Sequence, residues 1–290
     1  MLATILGLGV SISIFLSVLS YGLQAGKDDF LYLFRRPVQL IKAILSINVI
    51  MPVFVFLLVM LFKLESVVEV ALVALAISPV PPILPNKALK GGGGKSFTFG
   101  LLAAISLLSI VLVPLVLKIF ETVFDRSARF SEFSVIKTIL MTVIVPLILG
   151  MVICYFAPAF SERIASPLGK IAMIILILSF LPILIALLPA MWSLIGSGTI
   201  LAIAAFAIVG VTVGHFLGGP DPNDRVVLAL ATSSRHPAIA IALTAANVGE
   251  AETKLAAAAI LLYVIVGGIV ATPYLAWLTD DKTHIEEKAA

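Results

Sequence analysis

Residues 228–247 read LALATSSRHPAIAIALTAAN, from Leu228 to Asn247, and this stretch decides the fold. It has the length and apolarity of a membrane helix, yet its middle is Ser233-Ser234-Arg235-His236-Pro237. A charge at the centre of a span costs about 2.5–3.5 kcal/mol on insertion scales, so such a group faces a protein interior or an aqueous cavity. Proline removes a backbone donor and disfavours helix at the residue before it, here His236. The spacing therefore predicts an interrupted helix with freed backbone polar groups at a depth where lipid cannot satisfy them. Such backbone is tolerated only where it is buried in protein or lines a cavity. The rest of the chain is expected to house that cavity.

Composition agrees. Of 290 residues, 61% are hydrophobic and only 12% charged, and the mean hydropathy is +1.19. Soluble domains carry roughly 25% charged residues. The chain reads as an all-α polytopic membrane protein, a single integral domain over 1–290. The net charge of +3 lies mainly in loops, so it reports topology and not nucleic-acid binding. A single cysteine, Cys154, excludes an intrachain disulfide and is expected to be a buried, inert thiol. MLATILGLGV has no basic segment ahead of its apolar run and is expected to be a retained first span.

Spans of about 20 apolar residues fall near 2–23, 37–62, 67–86, 96–120, 135–157, 167–188, 199–217, 225–247 and 255–278. About nine helices put the termini on opposite sides. With the N-terminus outside, the inner segments hold Lys27, Arg35, Arg36, Lys42, Lys87, Lys90, Lys95, Arg163, Lys170, Arg225, Lys282 and Lys288. The outer ones hold Lys63, Lys118, Arg126, Arg129, Lys137 and Lys254. This two-to-one excess predicts a cell (inner) membrane protein with its N-terminus out and its C-terminus in the cytoplasm. The polar stretch 121–134, with Glu121, Asp125 and Glu132, reads as an interfacial segment.

The third span ends in Ser78-Pro79-Val80-Pro81-Pro82-Ile83-Leu84-Pro85-Asn86, which cannot continue a regular helix. Broken spans three and eight lie in different halves of the chain, and such paired interruptions point to the binding site of a secondary transporter. Spans one to four then match six to nine, with span five unpaired. Half-helix N-termini favour anions. Arg235 adds a permanent charge suited to carboxylate, and His236 a titratable ring. Ser233, Ser234 and Asn247 are nearby polar groups. Arg235 as structural glue is the competing reading, as is a carbonyl-bonded His236. Asn48 in span two is either interhelical glue or cavity lining.

Several features together resemble the bile acid:sodium symporter superfamily. They are Arg35-Arg36-Pro37 followed by Asn48…Met51-Pro52, Ser78-Pro79 leading into a break, and a span with Ser106…Pro114. The last is a polar break ahead of Ala238-Ile239-Ala240-Ile241-Ala242-Leu243. The resemblance implies inverted repeats, two discontinuous helices that cross where both unwind, and sodium-coupled uptake of an organic anion by alternating access. Sodium is then the coupling ion, and no cofactor or metal is expected. The family's second crossing helix carries a glutamate and, four residues on, a glutamine; here Ala231 and Arg235 stand at those positions. A guanidinium there opposes a cation, and the alternative is a sodium-independent or proton-coupled anion carrier or exporter. In the first break prolines replace the family's Ser-Asn pair, and Asn86 comes a few residues late. Ser78, Ser106 and Ser109 remain as candidate ion ligands.

Other patterns carry less. Gly91-Gly92-Gly93-Gly94-Lys95-Ser96 resembles the end of a phosphate-binding loop, but Leu89 stands where that pattern needs glycine. His215 and His284 are too scattered from His236 for a metal site. An intramembrane enzyme has only Ser233 or Ser234 with His236 as a conceivable dyad. A channel or a non-transporting membrane receptor remains a rival of another class. The substrate and the oligomeric state have no signature in the sequence.

Overall fold

The computed structural model describes residues 2–124, 132–196, 198–245 and 249–289. The described residues form helices and short connections, as a chain in lipid must if its backbone groups are to be satisfied within each segment. In order they are α1 (Leu2–Gln24), α2 (Lys27–Leu31), α3 (Pro37–Ile44), α4 (Met51–Leu61), α5 (Ser66–Ile77), α6 (Leu84–Lys90) and α7 (Lys95–Phe124). The second half holds α8 (Glu132–Ile139), α9 (Val145–Phe156), α10 (Pro158–Ser193), α11 (Thr199–Leu217), α12 (Pro222–Ser233), α13 (Pro237–Ala245) and α14 (Glu250–Ala289). Eight of the helical stretches are long and apolar enough to cross a membrane. The 12-residue α5 and the 7-residue α6 make a ninth crossing only as a pair.

Two spans carry a widened turn. A π-helical segment, Leu45–Ile50, joins α3 to α4, and another, Leu140–Ile144, joins α8 to α9. Each ends two residues before a proline, Pro52 or Pro146. A helical proline clashes with the carbonyl four residues back, here Asn48 or Thr142, and removes the bond that carbonyl would accept. Widening the turn relieves the clash and leaves carbonyls free on the inner face.

Helix ends differ from the sequence reading at several places. Residues 87–90, outside the expected spans, are helical, because Pro85 falls at the start of α6 where no N–H is needed. Residues 158–166 are not a loop but the beginning of α10, with Pro158 at its first turn. The sixth span, expected to end near 188, continues as helix to Ser193. The charged residues after 278 continue α14 as helix. The stretch 121–134 is helical at both ends, and residues 125–131 lie outside the described residues. Cys154 is half-buried, not buried, because it borders a pocket between α9 and the connection of α1 to α2.

Helices α1, α9 and α10 pack on one another, while α12 packs on α11 and α6, and α13 on α5 and α14. Glycine makes two of these contacts possible. Gly22 of α1 and Gly150 of α9 face each other, and a Cβ on Gly150 would come within 2.7 Å of Leu23 N. Gly210 and Gly214 of α11 and Gly218 at its C-terminal cap recur every fourth residue and bring this backbone against α12. A Cβ at these positions would lie 2.6 Å from Ser233 Cα, 2.5 Å from Ala229 Cα and 2.5 Å from Arg225 Cα.

Polar bonds fix which loops share a membrane face. Ser161 Oγ donates to Leu23 O at 2.9 Å, Ser96 Oγ to Asp29 Oδ1 at 2.5 Å, and Gln39 Nε2 to Asp224 Oδ2 at 3.2 Å. The connections after α1, before α7, before α10 and before α12 therefore lie on one side, as alternate crossings require. At the other side Gly198 stands against Leu64.

Candidate functional site

The two interruptions meet. In the first, α5 ends at Ile77 and the chain runs extended through Ser78 and Pro79 before α6 begins at Leu84. In the second, α12 ends at Ser233 and α13 begins at Pro237. His236 N–H, which has no place in either half helix, donates to Pro79 O at 2.9 Å. This one bond ties break to break. His236 O then accepts from Ala240 N–H at 3.1 Å and starts α13.

Arg235 sits at this crossing and is 2% exposed. Its Nη2 donates to Ile47 O at 2.8 Å, one of the carbonyls in the widened turn before Pro52. Its Cζ lies 5.8 Å from the centroid of the Phe206 ring, within reach of a cation–π attraction. Nε and Nη1 are buried without a hydrogen-bond partner, and among the described residues no carboxylate pairs with this guanidinium. A desolvated charge held by one carbonyl and one ring face is under-satisfied, and it stays charged because guanidinium does not deprotonate in proteins.

His236 is 1% exposed. Its Nδ1 accepts from Ile239 N–H at 3.4 Å, which assigns the ring proton to Nε2, and Nε2 has no partner. Asn48 Oδ1, next in the chain to Ile47, and Ser106 Oγ on α7 are likewise buried and unpartnered. Ile47, Ala231 and the two residues before Ser106, Ala104 and Ile105, share one packed cluster. Arg235, His236, Asn48 and Ser106 thus supply both donors and an amide acceptor without partners of their own.

The other expected site residues divide. Ser233 is buried, but its Oγ turns back to Leu230 O at 3.3 Å, and Ser234 is partly exposed. Ser109 and Ser78 bond Ile105 O and Leu75 O, the helix-internal role common for serine in membrane spans. Asn86 lies in α6, and its backbone N–H approaches the Tyr21 hydroxyl of α1. Asn247 lies outside the described residues. No bond joins Ser233 or Ser234 to His236, so the dyad geometry is not formed. His215 faces an aromatic cluster, with Nδ1 2.9 Å from Tyr274 OH and the ring beside Trp277. Among the described residues no group of three metal-ligating side chains comes together.

Two contacts join residues far apart in the sequence and are absent from the sequence reading. Tyr263 of α14 donates its hydroxyl to Ser233 O at 2.5 Å, across the second break. Ser46 and Thr232, both fully buried, share a hydroxyl–hydroxyl bond between the widened turn and the end of α12. A lone tyrosine in the middle of an apolar run, away from the membrane interfaces where tyrosine collects, was the available signal for the first.

Comparison with known families adds the remaining observation. The model for the Sodium Bile acid symporter family matches residues 11–188, more than half of the chain. The chain belongs to the sodium bile acid symporter family. The chain is therefore a multi-pass membrane protein of a transporter family. The matched segment includes the proline-rich break and Ser106, and it ends before the break that carries Arg235. A comparison with curated proteins returns no match.

Proposed function

We propose that this member of the sodium bile acid symporter family carries a small organic anion by alternating access, with the anion held at the crossing beside Arg235. The observation that carries this reading is the buried guanidinium with two unpartnered nitrogens where two helices are interrupted. Elsewhere in a folded protein such donors are satisfied; here the missing partner is an anion. Arg235 supplies permanently the positive charge that a bound sodium ion supplies in a sodium-coupled carrier, and Ala231 offers no carboxylate to hold that ion. Transport is accordingly sodium-independent. The N-terminus faces outward and the C-terminus the cytoplasm of the cell (inner) membrane, which puts the basic loops beside Asp29 and Asp224 inside.

A second reading rests on the unpartnered oxygens of Asn48 and Ser106, which would suit a cation. Sodium coupling through those oxygens is the alternative.

Counterflow in proteoliposomes separates these readings from each other and from a channel. Vesicles loaded with an unlabelled carboxylate are expected to accumulate the labelled one transiently and saturably, equally in sodium and potassium. Arg235→Ala is expected to lose at least about tenfold of that rate, the loss of one charge-assisted contact of roughly 1.5–3 kcal/mol. Flux without counterflow would indicate a pore, and flux abolished in potassium would indicate sodium coupling.

A further inference from the structure

We propose that Tyr263 is the positioning residue that sets the orientation of the Arg235 guanidinium and so makes the crossing selective for a planar carboxylate. This rests on the anion-carrier reading above and adds to it a residue on a third element, α14, outside both broken spans.

The hydroxyl of Tyr263 closes the second break from the side. It donates to Ser233 O at 2.5 Å, a carbonyl left over at the end of α12, and the backbone N–H of Arg235 approaches the phenol oxygen itself. One phenol thus spans the residues on either side of Ser234, bonded to the carbonyl of the first and close to the N–H of the second. The ring is 3% exposed, and its position is fixed in turn by an edge-on contact with Phe206, centroids 5.2 Å apart and planes at 86°. Phe206 is the ring whose face meets Arg235 Cζ. Tyr263 therefore reaches Arg235 by two routes, through the backbone at its N–H and through Phe206 at its head group.

The consequence lies in how the guanidinium is presented. Its five N–H groups form two two-pronged faces, one shared by Nε and Nη2 and one shared by Nη1 and Nη2. Ile47 O occupies one hydrogen of Nη2. Whichever hydrogen that is, one face keeps both prongs, because Nε and Nη1 are unpartnered. An intact face binds carboxylate through two parallel bonds, and that geometry depends on orientation as well as charge. A spherical anion needs the charge alone. Ser234 and Arg235 are not helical, so without the phenol nothing on their own helix fixes the angle at which the head group leaves the backbone.

Isothermal titration calorimetry of the full-length purified chain with benzoate and with bromide tests this. Wild type is expected to bind benzoate more tightly than bromide by about tenfold or more, the difference between two bonds and one. Tyr263→Phe, which keeps the ring and its contact with Phe206, is expected to bring the two affinities within about threefold, by weakening benzoate while leaving bromide unchanged. Phe206→Leu, which removes the second route, is expected to reduce the same ratio and serves if the tyrosine variant cannot be purified. A Tyr263→Phe protein that keeps the wild-type ratio, or weakens both anions equally as a general destabilisation would, overturns the proposal. A wild type that binds neither anion overturns the anion-carrier reading itself, and this inference with it.

Discussion

Arg235→Met is expected to leave the protein at least as heat-stable as wild type while abolishing anion binding. The two sides can be weighed. Losing the arginine strands Ile47 O without its bond, and an unsatisfied buried carbonyl costs roughly 1–3 kcal/mol. Against this, a charge at the centre of a span costs about 2.5–3.5 kcal/mol on insertion scales. Even whole buried ion pairs, whose charges offset each other, can often be replaced by apolar residues of similar volume with a neutral or stabilising effect of about 1–4 kcal/mol. The guanidinium of this chain has no carboxylate among the described residues to offset its desolvation, so the second effect wins. At about 2–4 °C per kcal/mol for a chain of this order of size, the apparent Tm without ligand should stay level or rise by a few degrees. Structural glue predicts the opposite, because an arginine retained to hold the breaks together would be missed. A fall of about 10 °C or more on a thermal scan, with no effect specific to anions, would support the glue reading.

Gly214→Leu is expected to give the largest loss of stability of any single substitution on α11. A Cβ at this position would lie 2.5 Å from Ala229 Cα and 2.7 Å from Ala229 N, both backbone atoms of α12 that cannot swing aside. Overpacking costs roughly 1–3 kcal/mol where neighbours can adjust, and more where they cannot. Here the helices must separate, and the end of α12 moves with them. That end carries the Thr232 bond to Ser46 and the Ser233 carbonyl bonded by Tyr263. The variant should therefore elute as aggregate, or show an apparent Tm lowered by about 10 °C or more. Gly267→Leu is the control. It is also a helical glycine, but nothing lies within 4 Å of an added Cβ, so it should purify like wild type. Equal behaviour of the two variants on size-exclusion chromatography would mean that the glycine stripe does not set the α11–α12 distance.

Much of this arrangement was legible before any coordinates, for local reasons. Arg235-His236-Pro237 inside an apolar run, and three prolines between Pro79 and Pro82, state their incompatibility with a lipid-facing helix whatever surrounds them. The glycines at 210, 214 and 218 also carry the four-residue spacing of a close-packing stripe in the sequence itself. What the sequence concealed depends on partners far away in the chain. Pro85 and Pro158 read as breakers, yet each falls in a first helical turn, where the missing N–H removes nothing. Pro52 announces a disturbed helix but not that the turn before it widens and offers Ile47 O to a guanidinium 188 residues away. The serines at 78 and 109 looked like ligands because hydroxyls are rare in apolar spans, but their own helix carbonyls satisfy them. Tyr263 acquires a role only because α14 packs against α13 and α5 beside the break.

The most direct test of the central claim is the thermal stability of the purified chain titrated with small carboxylates, in sodium and in potassium, for wild type and Arg235→Ala. A ligand that binds only the folded state stabilises it by about 2.7 kcal/mol at a hundred times its dissociation constant. Wild type is expected to show the same upward shift in both salts, and Arg235→Ala none. Stabilisation that requires sodium and survives the loss of Arg235 would contradict that claim, and would return the coupling to a cation held by Asn48, Ser106 and their neighbours.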